Sequence, residues 1–454
     1  MPDPMVTIIG AGLAGCEAAW QLVKRIIRVK LIDMKPGHMT PAHSSPLFAE
    51  LVCSNSLRGD RLENAPGLLK EELRQLDSLI MKAADASRVP AGGALAVDRE
   101  QFSGAVTNTL MNHPLVKFDS CQAEDFPEEP FIIATGPLTE GILADKIAQL
   151  AGTLHFFDAA APIVTKESIN RDIVFRASRY GRGDDYLNCP LTEQEYHAFM
   201  DALIGAECAP IHGFEEDRLF DGCLPIESIA KRGRMAAAFG PMKPVGLQDP
   251  RTGKEPFAVV QLRQDDALGS LYDLVGFQTR LKFMEQKRVF GMIPGLEQAE
   301  FIRYGVMHRN SFINSPGFLD RFYSIIGKPF QFFAGQITGV EGYVESTASG
   351  LTAGLVMAAR IKGKPDPDLP KNAAISALGN FISMPNRHFQ PMNINFGIMP
   401  PLEGRVRGKQ QRYGLLAARA LQSLQEMQNT RPDLFLTGGN DEFKRNNHLR
   451  CQAL

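Results

Sequence analysis

The segment that most limits what this chain can become lies at its start. Met5 to Ile9 (MVTII) is a short β-branched run, read as a buried parallel strand. Gly10-Ala11-Gly12-Leu13-Ala14-Gly15 follows without a gap. Cys16 to Lys24 continues as a helix, and a second strand, Val29 to Ile32, ends at Asp33. This order of strand, glycine turn, helix, strand and acid is the βαβ unit that binds a dinucleotide. Gly10 permits the tight turn, Gly12 lets the backbone approach a pyrophosphate, and Gly15 lets helix pack on strand. The helix N-terminus offers free N–H groups to phosphate, and Asp33 is placed to accept from a ribose. A glycine-rich turn without a ligand is the plainer reading of the six turn residues alone. The strand, helix and acid at the required spacing argue for the ligand.

Two distant segments favour FAD over NAD alone. Phe131-Ile-Ile-Ala-Thr135-Gly136 is an apolar strand ending in a turn, the usual closing strand of a flavoprotein nucleotide domain. Phe332-Phe-Ala-Gly335-Gln336 is another, and a helix follows from Glu345, just after Gly342 and Tyr343. The expected fold is α/β: a Rossmann-type FAD-binding domain, glutathione-reductase-like, with an inserted mixed α+β domain. The FAD-binding part is discontinuous, 1–138 and 328–454, and the insert is 139–327. Strands are expected from Pro256 to Leu262 and from Leu271 to Phe277. A single helix is expected from Asn64 to Ala84 with Asn64 as its cap, and an amphipathic helix over 413–428.

Composition narrows the class. Apolar residues are 44%, charged residues 22% and the formal net charge is -2, which argues against disorder and against a generally basic nucleic-acid coat. The seven cysteines form no C-x-x-C pair, so a disulfide framework, a zinc ribbon and a dithiol reductase are disfavoured and cytosolic thiols are the default. The apolar stretch from Pro4 to Val23 has no basic leader and contains Glu17, so it reads neither as a signal peptide nor as a membrane span. The expectation is a cytoplasmic protein with no metal, no membrane association and no obligate protein partner.

Two cysteines sit among polar or cationic neighbours. Cys53 precedes Ser54, Asn55, Ser56 and Arg58; Cys223 follows a glycine and precedes Lys231, Arg232 and Arg234. Such surroundings stabilise a thiolate, although spacing alone favours an inert buried thiol at both positions. Cys189 reads as part of a polar Asn-Cys-Pro turn. His308-Arg309-Asn310 ends an apolar run and could face a ligand with planar amides or carboxylates, or be a surface turn. Arg405, Arg407, Lys409, Arg412 and Arg419 gather against one acid, Glu403, as a phosphate-binding patch or a solvated helix face would.

Longer runs carry a resemblance. FAELVCSNSLRG (48–59), VPAGGALAVDRE (89–100), VQLRQDDAL (260–268), RYGVMHRNS (303–311), FAGQITGVEGYVESTASGLT (333–352) and FQPMNINFGI (389–398) resemble, with the rest of the chain, the folate- and FAD-dependent tRNA (uracil-54-C5)-methyltransferases, the TrmFO family. The plan is also similar to a larger class of tRNA-modifying flavoproteins, without room for their long helical C-terminal domain. One departure is Asp33, where the family usually has glutamate. The resemblance implies FAD as cofactor, 5,10-methylenetetrahydrofolate and NAD(P)H as co-substrates, and tRNA as partner. It implies one cysteine adding to uracil C6 and the other removing the C5 proton, with Cys53 the favoured nucleophile and Cys223 the base. His308, Arg309 and Asn310 become candidate folate contacts, and Arg405 and Arg407 candidate RNA contacts. Rival readings are the same chemistry on a ribosomal-RNA uracil, a small-molecule flavin oxidoreductase with inert cysteines, and a non-catalytic RNA-binding flavoprotein.

Overall fold

A computed structural model of the chain describes residues 4–40, 42–209, 224–387, 389–404 and 406–432. Its first sheet runs in the order Ser324–Ile325, Lys328–Phe333, Phe131–Ile133, Met5–Ile9, Arg28–Asp33, Val116–Ser120. The last five are mutually parallel, with Ile8 opposite both Leu31 and Ile132. From Met5–Ile9 the chain builds outward first on one side and later on the other. The gap between Met5–Ile9 and Phe131–Ile133 is therefore a switch point, where open α/β sheets bind ligands at their carboxyl ends.

The helix Leu13–Val23 packs on this sheet and against a second helix, Tyr343–Ile361. Glycine sets their separation. A Cβ on Gly350 would lie 2.1 Å from the Ala14 carbonyl oxygen, and one on Gly354 would lie 2.7 Å from that of Ala18. This close approach brings a helix from late in the chain against the N-terminal turn.

The second sheet is antiparallel: Phe175–Arg176, Leu187–Leu191, Ala258–Gln264, Leu271–Leu274, Ile163–Thr165, Phe301–Arg303. Leu187, Val260, Phe277 and Phe290 belong to its core, while Ile8, Ile132, Phe333 and Leu351 belong to the core of the first sheet. A two-stranded ribbon, Thr153–Ala159 with Met307–Ile313, connects them, and its Phe312 and Ile313 pack into the first core. A small sheet of Ser56–Gly59, Ala94–Val97 and Arg88–Val89 follows Cys53.

Three expectations need correction. The helix expected from Asn64 to Ala84 is two helices, Ala65–Gln75 and Leu79–Ala86, and the Asn64 side chain does not cap the first. Asp77 turns the chain at φ 60°, its carbonyl accepts from Trp20 Nε1 at 2.9 Å, and Ser78 caps the second helix. Cys189 lies not in a turn but inside the strand Leu187–Leu191, fully buried. The amphipathic helix extends beyond 413–428, over Lys409–Thr430. Among the described residues no helix is long and apolar enough to cross a membrane, and no group of three or more metal-binding side chains gathers.

Candidate active site

The nucleotide cleft opens at the switch point. Gly10, Gly12, Leu13, Ala14, Asp33, Thr135, Gly136, Gly335, Gln336 and Tyr343 line it. Ala11 and Gly15 stand behind the surface. Ala11 N donates to Asp33 Oδ2 at 2.6 Å and Lys35 N to Oδ1 at 2.8 Å, so Asp33 ties the glycine turn to its own strand. Each carboxylate oxygen keeps a lone pair for a ribose hydroxyl. Gly10 has φ 105°, and its neighbour across the turn, Gly15, leaves no room for a Cβ against the Gly10 carbonyl.

These residues suit a dinucleotide with a long flavin arm. Gly12 faces open space, and the helix it starts has no side-chain cap, so its first N–H groups are free for phosphate. The helix Tyr343–Ile361 also begins uncapped, at Gly342, with Tyr343 on the same cleft. Gly335 N is fixed by Ser349 Oγ at 2.6 Å, which holds the return strand's turn against this helix. Two free helix N-termini on one cleft fit a group that is anionic at its centre and extended on both sides. Cys121, which sequence reasoning did not single out, is exposed on the cleft wall.

A second cavity, of about 450 Å³, adjoins the first; Val52, Pro137, Leu138, Gln336 and Tyr343 line both. Cys53 opens into it, with Sγ 3.8 Å from the Ala159 carbonyl oxygen. Gly342 and Asn310 lie on its wall, Asn310 buried. The thiols of Cys16 and Cys189 are fully buried, and burial holds both well above the ordinary thiol range, which makes them packing residues.

The loop bearing Cys53 is tied at nearly every residue. Arg99 donates to the Leu51 carbonyl and Arg303 to that of Val52. Tyr343 Oη accepts from Cys53 N at 2.8 Å and from Ser54 N at 3.2 Å. Arg263 donates to Ser54 Oγ at 2.8 Å and Asn55 Oδ1 at 3.0 Å, and is ion-paired with Asp273 at 2.6 Å. Burial first, then the adjacent Cys53, hold the Tyr343 phenol far above its usual pKa, so it is a hydroxyl at neutral pH. Arg58 (φ 64°) sits on the cavity wall and pairs with buried Glu345 at 3.2 Å. Non-glycine residues held in this region mark functional sites more often than ordinary loops.

Sequence reasoning missed Arg99, Arg263 and Arg303. The available signal was an arginine in each of three otherwise apolar or short polar runs, 89–100, 260–268 and 303–311. Cys223 and Arg405 lie outside the described residues, as do the side chains of His308 and Arg309. The backbone at His308 is in the ribbon strand, opposite Asp158. Arg407 is exposed and lines neither cavity.

The fold and the paired clefts define a Rossmann-type flavoprotein. Its architecture matches GidA of Aquifex aeolicus in two crystal forms, at TM-scores of 0.67 and 0.65 with 14% and 15% identity, over 98% and 93% of this chain and 75% of each GidA chain. The profile of the family described as "Glucose inhibited division protein A" matches residues 5–365. The chain is 55% identical to the methylenetetrahydrofolate–tRNA-(uracil-5-)-methyltransferase TrmFO of Staphylococcus carnosus, over 95% of its own length and 100% of the relative's. Proteins of the same name from Listeria monocytogenes (57%, over 94% and 99%) and Heliobacterium modesticaldum (58%, over 92% and 97%) are equally similar. The chain belongs to the Glucose inhibited division protein A family, and within it to the TrmFO proteins.

Proposed function

We propose that this chain methylates carbon 5 of a uracil in tRNA, uracil 54 of the T-loop, with 5,10-methylenetetrahydrofolate as carbon donor, FAD as cofactor and NAD(P)H as external reductant. The observation that carries this reading is the shared wall: a thiol opens on a cavity whose lining continues into the nucleotide cleft. A methylene carbon is one hydride short of methyl, and reduced flavin supplies that hydride equivalent.

The protein's own part follows from its atoms. Cys53, as thiolate, adds to uracil C6, and electron density moves to C5, which then attacks the methylene carbon. Cys223 takes the C5 proton as the bond from the methylene carbon to the tetrahydrofolate nitrogen breaks, which leaves an exocyclic methylene on C5. When the hydride equivalent adds to that carbon, the Cys53–C6 bond breaks and the thiolate returns. Bonds from Arg99, Arg303, Arg263 and Tyr343 fix the loop, so Sγ stays where it was built when the base arrives. Gly10, Ala11, Gly12, Leu13, Ala14, Gly15 and Asp33 hold the dinucleotide on one side; Thr135, Gly136, Gly335, Gln336, Gly342 and Tyr343 hold the flavin end. Asn310 on the cavity wall, with His308 and Arg309 on the same strand, contacts the folate, and Arg405 and Arg407 contact RNA. The chain divides into a nucleotide-binding domain of 1–138 and 328–454 and an insert of 139–327. The second core, from Val164 to Ala299, supports the insert, while Leu143, Ile147, Phe312, Ile313, Leu319, Tyr323 and Ile325 at its two ends pack in the first core. A tRNA substrate puts the activity in the cytoplasm.

The test uses unmodified tRNA transcript, NADPH and folate labelled in its methylene carbon. Label in the T-loop uracil is expected. Label in ribosomal RNA alone would change the substrate. NADPH consumption without label in any RNA would leave a small-molecule flavin oxidoreductase.

A further inference from the structure

Outside both cavities, a surface groove of about 500 Å³ runs between residues 61–66, residues 394–396 and the start of the helix Lys409–Thr430. We propose that this groove docks the sugar–phosphate backbone of the tRNA, an inference that rests on the methyltransferase reading above. Arg61, Arg182 and Lys409 line it, and Arg412 stands one turn along the helix from Lys409. All four are exposed, and none is ion-paired with a carboxylate among the described residues. Several cations elsewhere are matched: Arg74 binds Asp60 and Asp85, and Arg360 binds Asp320 and Asp366. Glu63 is the one acid among the groove's lining residues. Four unmatched cations on one surface of a chain whose net charge is -2 form a local positive field that a polyanion would relieve.

Three of the four cations also lie against aromatic rings. Tyr413 stacks on Phe396 with ring centroids 4.4 Å apart, and Lys409 and Arg412 lie 5.6 and 5.3 Å from the Tyr413 ring centroid. Arg182 lies 5.6 Å from the ring of Tyr180. Side chains already placed on rings lose less freedom when phosphate arrives. Arg419, by contrast, is tied to the carbonyls of Pro400 and Pro401 and is left out of the proposal.

The groove and the Cys53 cavity lie on two sides of one wall. Asn393 lines the cavity, and Ile394, Asn395 and Phe396 line the groove. Ile394 N donates to Glu345 Oε1 at 2.9 Å, and Glu345 pairs with Arg58 on the cavity side. RNA anchored in the groove by its phosphates therefore presents its bases one wall away from the thiol. Phosphate contacts of this kind fix register and leave the choice of base to the cavity, which an unstacked uracil can enter.

The test compares the full-length FAD-bound protein with the fourfold variant Arg61→Ala, Arg182→Ala, Lys409→Ala, Arg412→Ala. tRNA transcript is titrated at several salt concentrations. The variant should keep its flavin absorbance and melting temperature, bind tRNA at least about tenfold more weakly at low salt, and lose about three from the slope of log affinity against log salt. Replacing the three arginines by lysine should preserve the slope, and Arg28→Ala, outside the groove, should change nothing. Wild-type affinity and slope in the fourfold variant would overturn the groove and leave the methyltransferase reading standing. Absence of tRNA binding and methylation in the wild type would instead remove that reading and, with it, this one.

Discussion

At the nucleotide cleft, the bond that ties the turn joins residues 22 positions apart, Ala11 and Asp33. Around Cys53, the ties reach further: 48 positions from Leu51 to Arg99, 209 from Ser54 to Arg263, 251 from Val52 to Arg303 and 290 from Cys53 to Tyr343. At one site the turn is tied within its own βαβ unit, and Thr135, Gly335, Gln336 and Tyr343 then complete the cleft from further along the chain. The other exists only once both sheets and the late helix have assembled around a short loop. The contrast teaches where each region should be vulnerable. Damage to the loop ties should remove chemistry while FAD stays bound, whereas damage to the helix pair under the turn should loosen FAD itself.

The largest separation is expected from Cys53→Ala. Methyl transfer should fall roughly a thousandfold or more, as losses of nucleophiles do, with flavin absorbance unchanged. Loss of flavin in this variant would mean that the two regions are one unit.

Arg263→Ala comes next. It leaves Asp273 buried without its ion partner, and breaking such a pair costs about 3–5 kcal/mol. Denaturant melts should show this loss, and Arg263→Met with Asp273→Leu should recover part of it. An unchanged melt for the single variant would show that the tie contributes nothing to the assembled fold.

Gly350→Ala presses a methyl into the Ala14 carbonyl, and overpacking of this kind costs about 1–3 kcal/mol. FAD affinity should drop with stability, because the displaced helix carries the glycine turn. Retained affinity would break the proposed link between the helix pair and the cleft.

The smallest effect is a pH dependence at Lys70, fully buried beneath the Cys53 loop's exit strand and donating to the Leu57 and Gly59 carbonyls at 2.9 and 2.8 Å. Burial lowers its pKa to about 8 from 10.5. Above pH 8 the folded state releases a proton that the unfolded state keeps until about 10.5, so the unfolded state binds more protons and stability rises with pH in that window. Relative to Lys70→Met, the wild type should gain about 2 kcal/mol between pH 8 and 10.5 in paired melts. A flat difference would place the ammonium in water.

Legibility in the sequence followed the same division. Met5–Ile9, the glycine turn and Asp33 were readable because strand period and turn chemistry act between neighbours. The break at Asp77 was not, because Trp20 and Lys24, more than fifty positions earlier, hold it. Nor was the strand position of Cys189. Its neighbour Asn188 is fully buried and satisfied by the Phe175 and Ala177 carbonyls, so a polar residue that signals a turn in isolation sits inside a sheet. Arg99, Arg263 and Arg303 carry no local pattern at all. Their importance appears only in the carbonyls and side chains they reach.

The most direct test of the central claim, that Cys53 adds to the uracil, is a trapping experiment. tRNA carrying 5-fluorouracil at position 54 has no C5 proton to remove, so the addition product cannot complete its turnover. Incubated with the FAD-bound protein, folate donor and NADPH, it should accumulate as a covalent RNA–protein adduct whose modified peptide contains Cys53 and which is absent from Cys53→Ala. An adduct that persists in Cys53→Ala and maps to another residue would contradict the account.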